Sequence, residues 1–215
     1  MINGINSREM ILEILLEIEE GEHSHVAIRN ALSKYQFLPK QDRAFITRVC
    51  EGTLEYRIQI DYIINSFSKV TVDKMKPAIR EILRSAVYQL KYMDSVPDSA
   101  VCNEAVKLAQ RKGFYNLKPF VNGVLRTIAR EMDQVRFPQK EDDLLKYLSV
   151  KYSMPEVLVT RWLEAYGEET TEKILADFLM EHPLTIRCRT YLNSKEEVIK
   201  SLESQGVHVA PAPYL

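Results

Sequence analysis

The stretch Pro77-Ala78-Ile79-Arg80-Glu81-Ile82-Leu83-Arg84-Ser85-Ala86-Val87-Tyr88-Gln89-Leu90 decides the fold. Ile79, Ile82, Leu83, Ala86, Val87 and Leu90 recur at helical spacing and give one apolar face. Thr71 and Asp73 supply start signals, and Pro77 stands near the first turn, where a missing N–H costs little. The same period extends to both sides. Downstream, Pro97-Asp98-Ser99 marks a turn and a cap, Val101, Ala105 and Leu108 repeat helically, and Gly113 stops them. Pro119 then opens a helix striped by Val121, Val124, Leu125 and Ile128. Upstream, Asn6 and Glu9 have the spacing of a capping box, with Ser7 as an alternative cap, before Ile11, Ile14, Leu15 and Ile18. Gly21 ends that helix, and a short one over 24–33 turns Val26, Ala27, Ala31 and Leu32 inward. A longer helix runs from Pro39 and Asp42 to Ser66, lined by Phe45, Ile46, Val49, Leu54, Ile60, Ile63 and Ile64, and interrupted by Gly52. No window up to residue 137 alternates as a strand does, so the pattern predicts an all-α unit of six or seven helices with short loops.

Phe137-Pro138-Gln139-Lys140 reads as a joint, and the character then changes. Leu144, Leu145 and Leu148 suggest a short helix; Pro155 opens another, which Gly167 ends; Ile174, Leu175 and Phe178 mark a third. Leu184 to Arg189 alternates apolar and polar residues and predicts a strand. Ser194 and Glu197 cap a helix faced by Val198 and Leu202, Gly206 closes it, and Val207 and Val209 predict a second strand. The expected organisation is a helical domain over 1–138, a helical linker over 139–182, and the start of a small α+β segment over 183–215 with an incomplete sheet. Two strands alone are rarely stable in water, which predicts a truncated polypeptide or a sheet completed elsewhere.

Composition narrows the function. The 215 residues carry 29 Lys+Arg against 30 Asp+Glu with 46% hydrophobic residues, an ordinary folding composition. No apolar run reaches the roughly 18–20 residues of a membrane helix, and no secretory signal opens the chain. Cys50, Cys102 and Cys188 are far apart, which excludes a disulfide framework and fits a reducing cytoplasm. His23, His25, His182 and His208 have no metal-ligand spacing. The seven glycines never cluster, so no phosphate cradle is built. No Ser-His-Asp arrangement can be argued, and the cysteines fall at apolar positions that predict packing. No catalytic residue and no metal site is expected.

The near-neutral total hides an asymmetry. Residues 1–140 carry 21 basic and 17 acidic residues, residues 141–215 carry 8 and 13, and within the first part residues 73–140 carry 13 and 7. A basic stretch in a neutral chain points to a polyanionic partner for that stretch. Lys76, Arg80 and Arg84 stand at i, i+4, i+8, and the pairs Lys107/Arg111 and Arg126/Arg130 repeat the spacing. Like charges so placed repel by a few tenths of a kcal/mol per pair, which phosphates relieve. The competing reading is that acids on other helices, such as Glu9, Glu13, Glu17 or Glu20, sit opposite.

Here the residues carry a resemblance. Val101-Cys102-Asn103-Glu104-Ala105-Val106-Lys107-Leu108-Ala109 followed by Phe120-Val121-Asn122-Gly123-Val124-Leu125 resembles the paired signature of NusB-type RNA-binding domains. Ala78 to Arg84 with Tyr88-Gln89-Leu90, Asp42-Arg43 with Gly52 and Asp61, and Arg8 resemble earlier parts of that pattern. The resemblance implies an all-α double three-helix bundle that binds RNA. The RNA-contacting candidates are Arg8, Lys76, Arg80, Arg84, Lys107, Arg111, Lys112, Lys118, Asn122, Arg126 and Arg130. Asn122 and Gly123 also have plain readings, as a satisfier of buried backbone and a spacer for close helix packing. Beyond the bundle, Tyr152-Ser153-Met154-Pro155, Leu158-Val159-Thr160-Arg161-Trp162 and Pro183-Leu184-Thr185-Ile186-Arg187 resemble the middle of RsmB (Sun/Fmu) rRNA cytosine-C5 methyltransferases. Val157 and Arg189 depart from that pattern, where Trp and Asn are common.

That second resemblance implies a parent enzyme that transfers methyl from S-adenosylmethionine to a cytosine of small-subunit rRNA through two cysteines in Pro-Cys and Thr-Cys motifs. Neither dipeptide occurs here, so the chain itself is expected to be catalytically silent, with the cofactor held elsewhere. The expected partner is small-subunit rRNA, with a ribosomal or transcription protein as a further candidate and no membrane. A stand-alone antitermination-like factor or docking module remains the alternative.

Overall fold

The structure, a computed structural model, describes residues 6–180 and 183–211. It divides into two compact units, one running to Asp177 and the other beginning at Phe178.

The first unit is built from α1 (Ser7–Glu19), α2 (Ser24–Lys34), α3 (Lys40–Glu55), α4 (Arg57–Phe67), α5 (Pro77–Tyr92), α6 (Asp98–Arg111), α7 (Lys118–Glu131), α8 (Leu144–Lys151) and α9 (Glu156–Phe178). Asn6 starts α1: its side-chain oxygen accepts from the Arg8 N–H at 2.9 Å. Helices α1, α2 and α3 pack on one another, and so do α5, α6 and α7, giving the double three-helix bundle. The stripe read from the sequence explains why α5 joins them. It contacts α1, α3, α4, α6 and α7, and every residue from Glu81 to Gln89 is buried. Its own Ile82 and Leu83 are fully enclosed, as are Ile11, Leu15, Ile46 and Leu125 of the helices around it. Each such side chain contributes about 1.5–3 kcal/mol of burial.

Two details differ from the sequence reading. The helix expected from Pro39 to Ser66 is two, α3 and α4, divided at Tyr56. Gly52 does not interrupt it. A Cβ there would lie 2.0 Å from a ring carbon of Tyr88, so the glycine lets α5 approach α3. Tyr88 is one of three stacked tyrosines, with Tyr56 and Tyr92.

The expected joint at 139 falls inside the first unit, because α8 packs on α4. Gln59 of α4 donates to the Val150 and Lys151 carbonyls, both at 3.1 Å. Asp143 caps α8 by accepting from the Lys146 N–H at 2.9 Å. A small core of Leu148, Val159 and Leu175 joins α8 to α9, which is broken at Gly167, where φ is 73°.

In the second unit α10 (Lys195–Ser204) carries the expected capping box: Ser194 Oγ accepts from Glu197 N–H, and the Glu197 carboxylate accepts from Ser194 N–H. The two predicted strands are not formed. Among the described residues, 184–189 and 207–209 carry no ladder, and Leu184 is 91% exposed. A strand needs neighbouring strands and a face to bury, and these segments have neither. The α+β character expected for 183–215 is therefore not shown; Glu181 and His182 lie outside the described residues.

Candidate nucleic-acid interface

The cationic row on α5 meets two different environments. Arg84 is enclosed. Its Nε and Nη2 donate to both Asp61 carboxylate oxygens at 2.7 and 2.6 Å, and its Nη1 donates to Glu81 at 2.6 Å. Burial pushes the Glu81 carboxyl above its ordinary range, against the pull of Arg84. Arg80 donates to Glu19 and to the carbonyls of Val72 and Met75. Lys76 is exposed, with its ammonium 5.4 Å from the Phe114 ring centre. The expected α5 ridge is thus not free: two of its three cations hold helices together. Lys112 is similarly held, 3.0 Å from both Glu9 and Glu13, two of the acids the competing reading named. Arg8 is half-buried, donating to Gln89 at 3.2 Å with its guanidinium 5.3 Å from the Phe45 ring.

The α6–α7 face is different. Lys107, Arg111, Arg126 and Arg130 are all exposed on it, and Lys118 stands half-buried at the start of α7. Arg126 reaches across the helix pair: Nη2 donates to Asn103 at 3.1 Å and Nε to Asn122 at 3.4 Å. Two side-chain amide oxygens thereby fix the guanidinium without neutralising it, and both amide NH2 groups remain as donors. Glu104 takes the Lys107 ammonium at 2.8 Å, and Glu131 takes Arg130 at 2.6 Å. The Lys107 hydrogen bond holds the Glu104 carboxyl below its usual range, opposed by partial burial and aided by the charges of Lys107, Arg8 and Arg111.

Gly123 corrects a packing expectation. It is exposed, and a Cβ there would meet nothing within 4 Å, so it spaces no helix pair. Asn122 is exposed too and satisfies no buried backbone. A helical glycine is less favourable than alanine by about 1 kcal/mol. On this face it gives a smooth patch between two polar anchors, where a ligand backbone can approach closely. Asn103 was not among the candidates; its place in the same motif as Lys107 was the available signal.

Burial pushes the Cys50 and Cys102 thiols up, so both stay protonated. Among the described residues no group of three or more metal-ligating side chains assembles, and no helix is long and apolar enough to cross a membrane.

Fold and face together define a helical double bundle that offers a cationic, amide-fixed helix pair. Residues 5–130 match the NusB family model, and the chain belongs to that family. Residues 154–215 match the model described as Methyltr_RsmF/B-like, ferredoxin-like domain. The chain is 32% identical over 202 residues to a probable ribosomal RNA small subunit methyltransferase B of Bacillus subtilis, covering 94% of this chain and 44% of that protein. The chain thus spans less than half the length of that relative. Among solved structures, PH0851 superposes with a TM-score of 0.70 at 23% identity, covering 99% of this chain and 47% of that one. NusB in its complex with NusE and dsRNA superposes with a TM-score of 0.53 at 21% identity, over 58% of this chain and 93% of that one. Both show the fold.

Proposed function

We propose that this chain is the RNA-recognising region of a SAM-dependent small-subunit rRNA cytosine-C5 methyltransferase of the cytoplasm, and that it does not transfer methyl by itself. The observation that carries the RNA reading is the α6–α7 face, where Arg126 is held by Asn103 and Asn122 beside the bare Gly123. Lys107, Arg111, Arg126 and Arg130 would lie along phosphates, with the amides of Asn103 and Asn122 donating to phosphate or 2′-OH oxygens. Arg8, Lys76 and Lys118 would add charge at the margin. Arg80, Arg84 and Lys112 would act from within, by fixing the helices that carry the face.

The methyltransferase reading rests on the resemblance to rRNA small subunit methyltransferase B and on the ferredoxin-like match. A ferredoxin-like unit is assembled from βαβ halves. The order of segments across 184–209, with α10 in the middle, corresponds to one half, which pairing strands would complete. S-adenosylmethionine does not fit the described residues. The glycines are dispersed, so they build no glycine-rich loop to cradle a nucleotide-like cofactor. No catalytic step is derived for this chain.

The test is binding of the chain to an unmodified small-subunit rRNA fragment across a salt series. Changing Lys107 and Arg126 to Gln should lower the log–log salt slope by about two, one per phosphate contact. Salt-independent binding, or a slope unmoved by the double change, overturns the assignment. Methyl transfer from labelled S-adenosylmethionine by this chain alone would overturn the division of labour.

A further inference from the structure

Residues 131–153 lie between the two stretches that match family models. They include the strap 135–139 and α8, and together with α4 and the end of α5 they enclose two grooves, one on each side of Phe137 and Pro138. The first, about 240 Å³, is lined by Gln59, Lys91, Phe137, Gln139, Tyr147 and Lys151. The second, about 580 Å³, shares the strap and adds Tyr62, Arg136 and Lys146, with Asp142 and Asp143. Asp143 is already engaged in capping α8.

The strap is pre-shaped. Tyr62 donates to the Arg136 carbonyl at 2.7 Å and stacks on Phe137 at 5.8 Å, and Gln139 donates to the Phe137 carbonyl at 2.8 Å. Rigid walls reduce the ordering cost of binding. Cations and rings stand together in and just behind them. The Lys91 ammonium lies 5.2 Å from the Phe137 ring centre and 5.6 Å from that of Tyr92. The Lys151 ammonium lies 4.9 and 4.8 Å from Tyr147 and Tyr152. The two lysines are not equivalent. Lys151 is held by Glu172 at 3.0 Å and by the Tyr147 hydroxyl at 2.6 Å. Among the described residues, Lys91 makes no hydrogen bond and no ion pair, although it is half-buried and three donors are available; Asp133 acts on it only through space. The sequence carries a faint trace of this arrangement in Lys91-Tyr92, Lys146-Tyr147 and Lys151-Tyr152.

A groove that combines cations with aromatic rings fits an unpaired nucleic-acid strand, whose phosphates take the ammonium groups and whose bases stack. We infer that the grooves on either side of the Phe137–Pro138 strap bind a short single-stranded segment of RNA, with Lys91 and Arg136 on phosphates and the bases laid against the apolar strap and the Tyr147 ring. This rests on the RNA reading above but adds a second site, remote in sequence from the α6–α7 motif, for unpaired rather than structured RNA.

The test uses the whole chain and two probes: an unstructured oligoribonucleotide of roughly six nucleotides, the order of a single-strand site on one small binding fold, and the rRNA fragment. Changing Lys91 and Arg136 to Gln should weaken oligoribonucleotide binding at least tenfold and lower its salt slope by about 0.7 per removed contact. Phe137→Leu keeps an apolar body but loses the ring that shapes the strap, and it should weaken the oligoribonucleotide several-fold at a temperature where thermal unfolding shows the variant fully folded. The pair Lys107→Gln and Arg126→Gln should weaken the oligoribonucleotide much less than the groove pair does. Oligoribonucleotide binding unchanged by the groove variants, or lost only with the α6–α7 variants, overturns the site. So does a groove-dependent preference for a glutamate-rich peptide over the oligoribonucleotide, which would mark a protein partner. If the rRNA fragment fails to bind while the oligoribonucleotide binds through Lys91, the groove stands and the α6–α7 reading falls.

Discussion

Helix α5 and the α6–α7 pair carry the same sequence signal and put it to opposite uses. Both have basic residues four apart. On α5, Arg84 lies between Asp61 and Glu81 and Arg80 on Glu19, whereas on α6–α7 Arg126 rests on neutral amides and the exposed Lys107 pairs with Glu104. Spacing reports which side chains share a row. Whether the row is free depends on acids brought in from other helices, and their position is set by packing. The pair of regions also separates two energetic regimes, since a buried cation that loses its partner leaves uncompensated charge, while an exposed one does not.

The sharpest way to break the comparison is Arg84→Ala. It strips the partner from buried Glu81 and half-buried Asp61, and it should lower unfolding free energy by about 3–5 kcal/mol in urea titration. An effect comparable to that of Arg126→Ala would mean that the two rows are not different in kind. Next comes Gly52→Ala. The added methyl meets the Tyr88 ring, so the ring or the helices must shift, with a loss of about 1–3 kcal/mol by the same measurement. Gly123→Ala on the open face should instead stabilise the helix by up to about 1 kcal/mol, and it should weaken RNA binding if close approach matters there.

Much of the first unit was legible because its apolar residues repeat with the helical period and its caps are local. Asn6 and Pro119 act within a few residues of themselves, and so, in the second unit, do Ser194 and Glu197. The α3–α4 division was not legible, because Gly52 reads as a breaker until Tyr88 is seen against it. The strands over 184–189 and 207–209 were expected from alternation, and alternation says which face a strand would bury but supplies no partner to pair with. At the site, the NusB-like motif marked Lys107, Asn122 and Arg126, but nothing local announced that Asp61, 23 positions before Arg84, would remove that arginine from the surface. The strap groove was still less visible. Its walls come from α4, α5 and α8, and only the repeated Lys-Tyr pairs hinted at it.

A milder effect tests the α8–α9 corner, where charge is half-exposed and networked. Glu172 accepts from Lys151, Lys140 and Tyr152, and these contacts, led by the Lys151 hydrogen bond and opposed by partial burial, hold its carboxyl down at about 2. A depressed carboxyl stabilises the fold above its unfolded range, near 4.3, and that contribution is lost as pH falls toward 2. Glu172→Gln should therefore cost about 1 kcal/mol or less at neutral pH, and its stability should fall less steeply than that of wild type between roughly pH 4 and pH 2. Parallel curves for the two proteins in acid titration of the unfolding midpoint would show that the network contributes nothing.

The smallest effect on stability belongs to the residue with the largest expected effect on binding. Arg126→Gln removes an exposed guanidinium that rests on two neutral amides, so no carboxylate is stranded and unfolding free energy should move by less than about 0.5 kcal/mol. Rebinding of structured rRNA should nevertheless lose about one unit of salt slope, because one phosphate contact is gone. Arg126→Lys should restore most of that slope, since a phosphate accepts either cation, but not the full affinity, because an ammonium cannot bridge Asn103 and Asn122 as a planar fork does. A variant that unfolds like Arg84→Ala, or that binds with an unchanged slope, would place Arg126 with the cations of α5 and remove the distinction between the two regions.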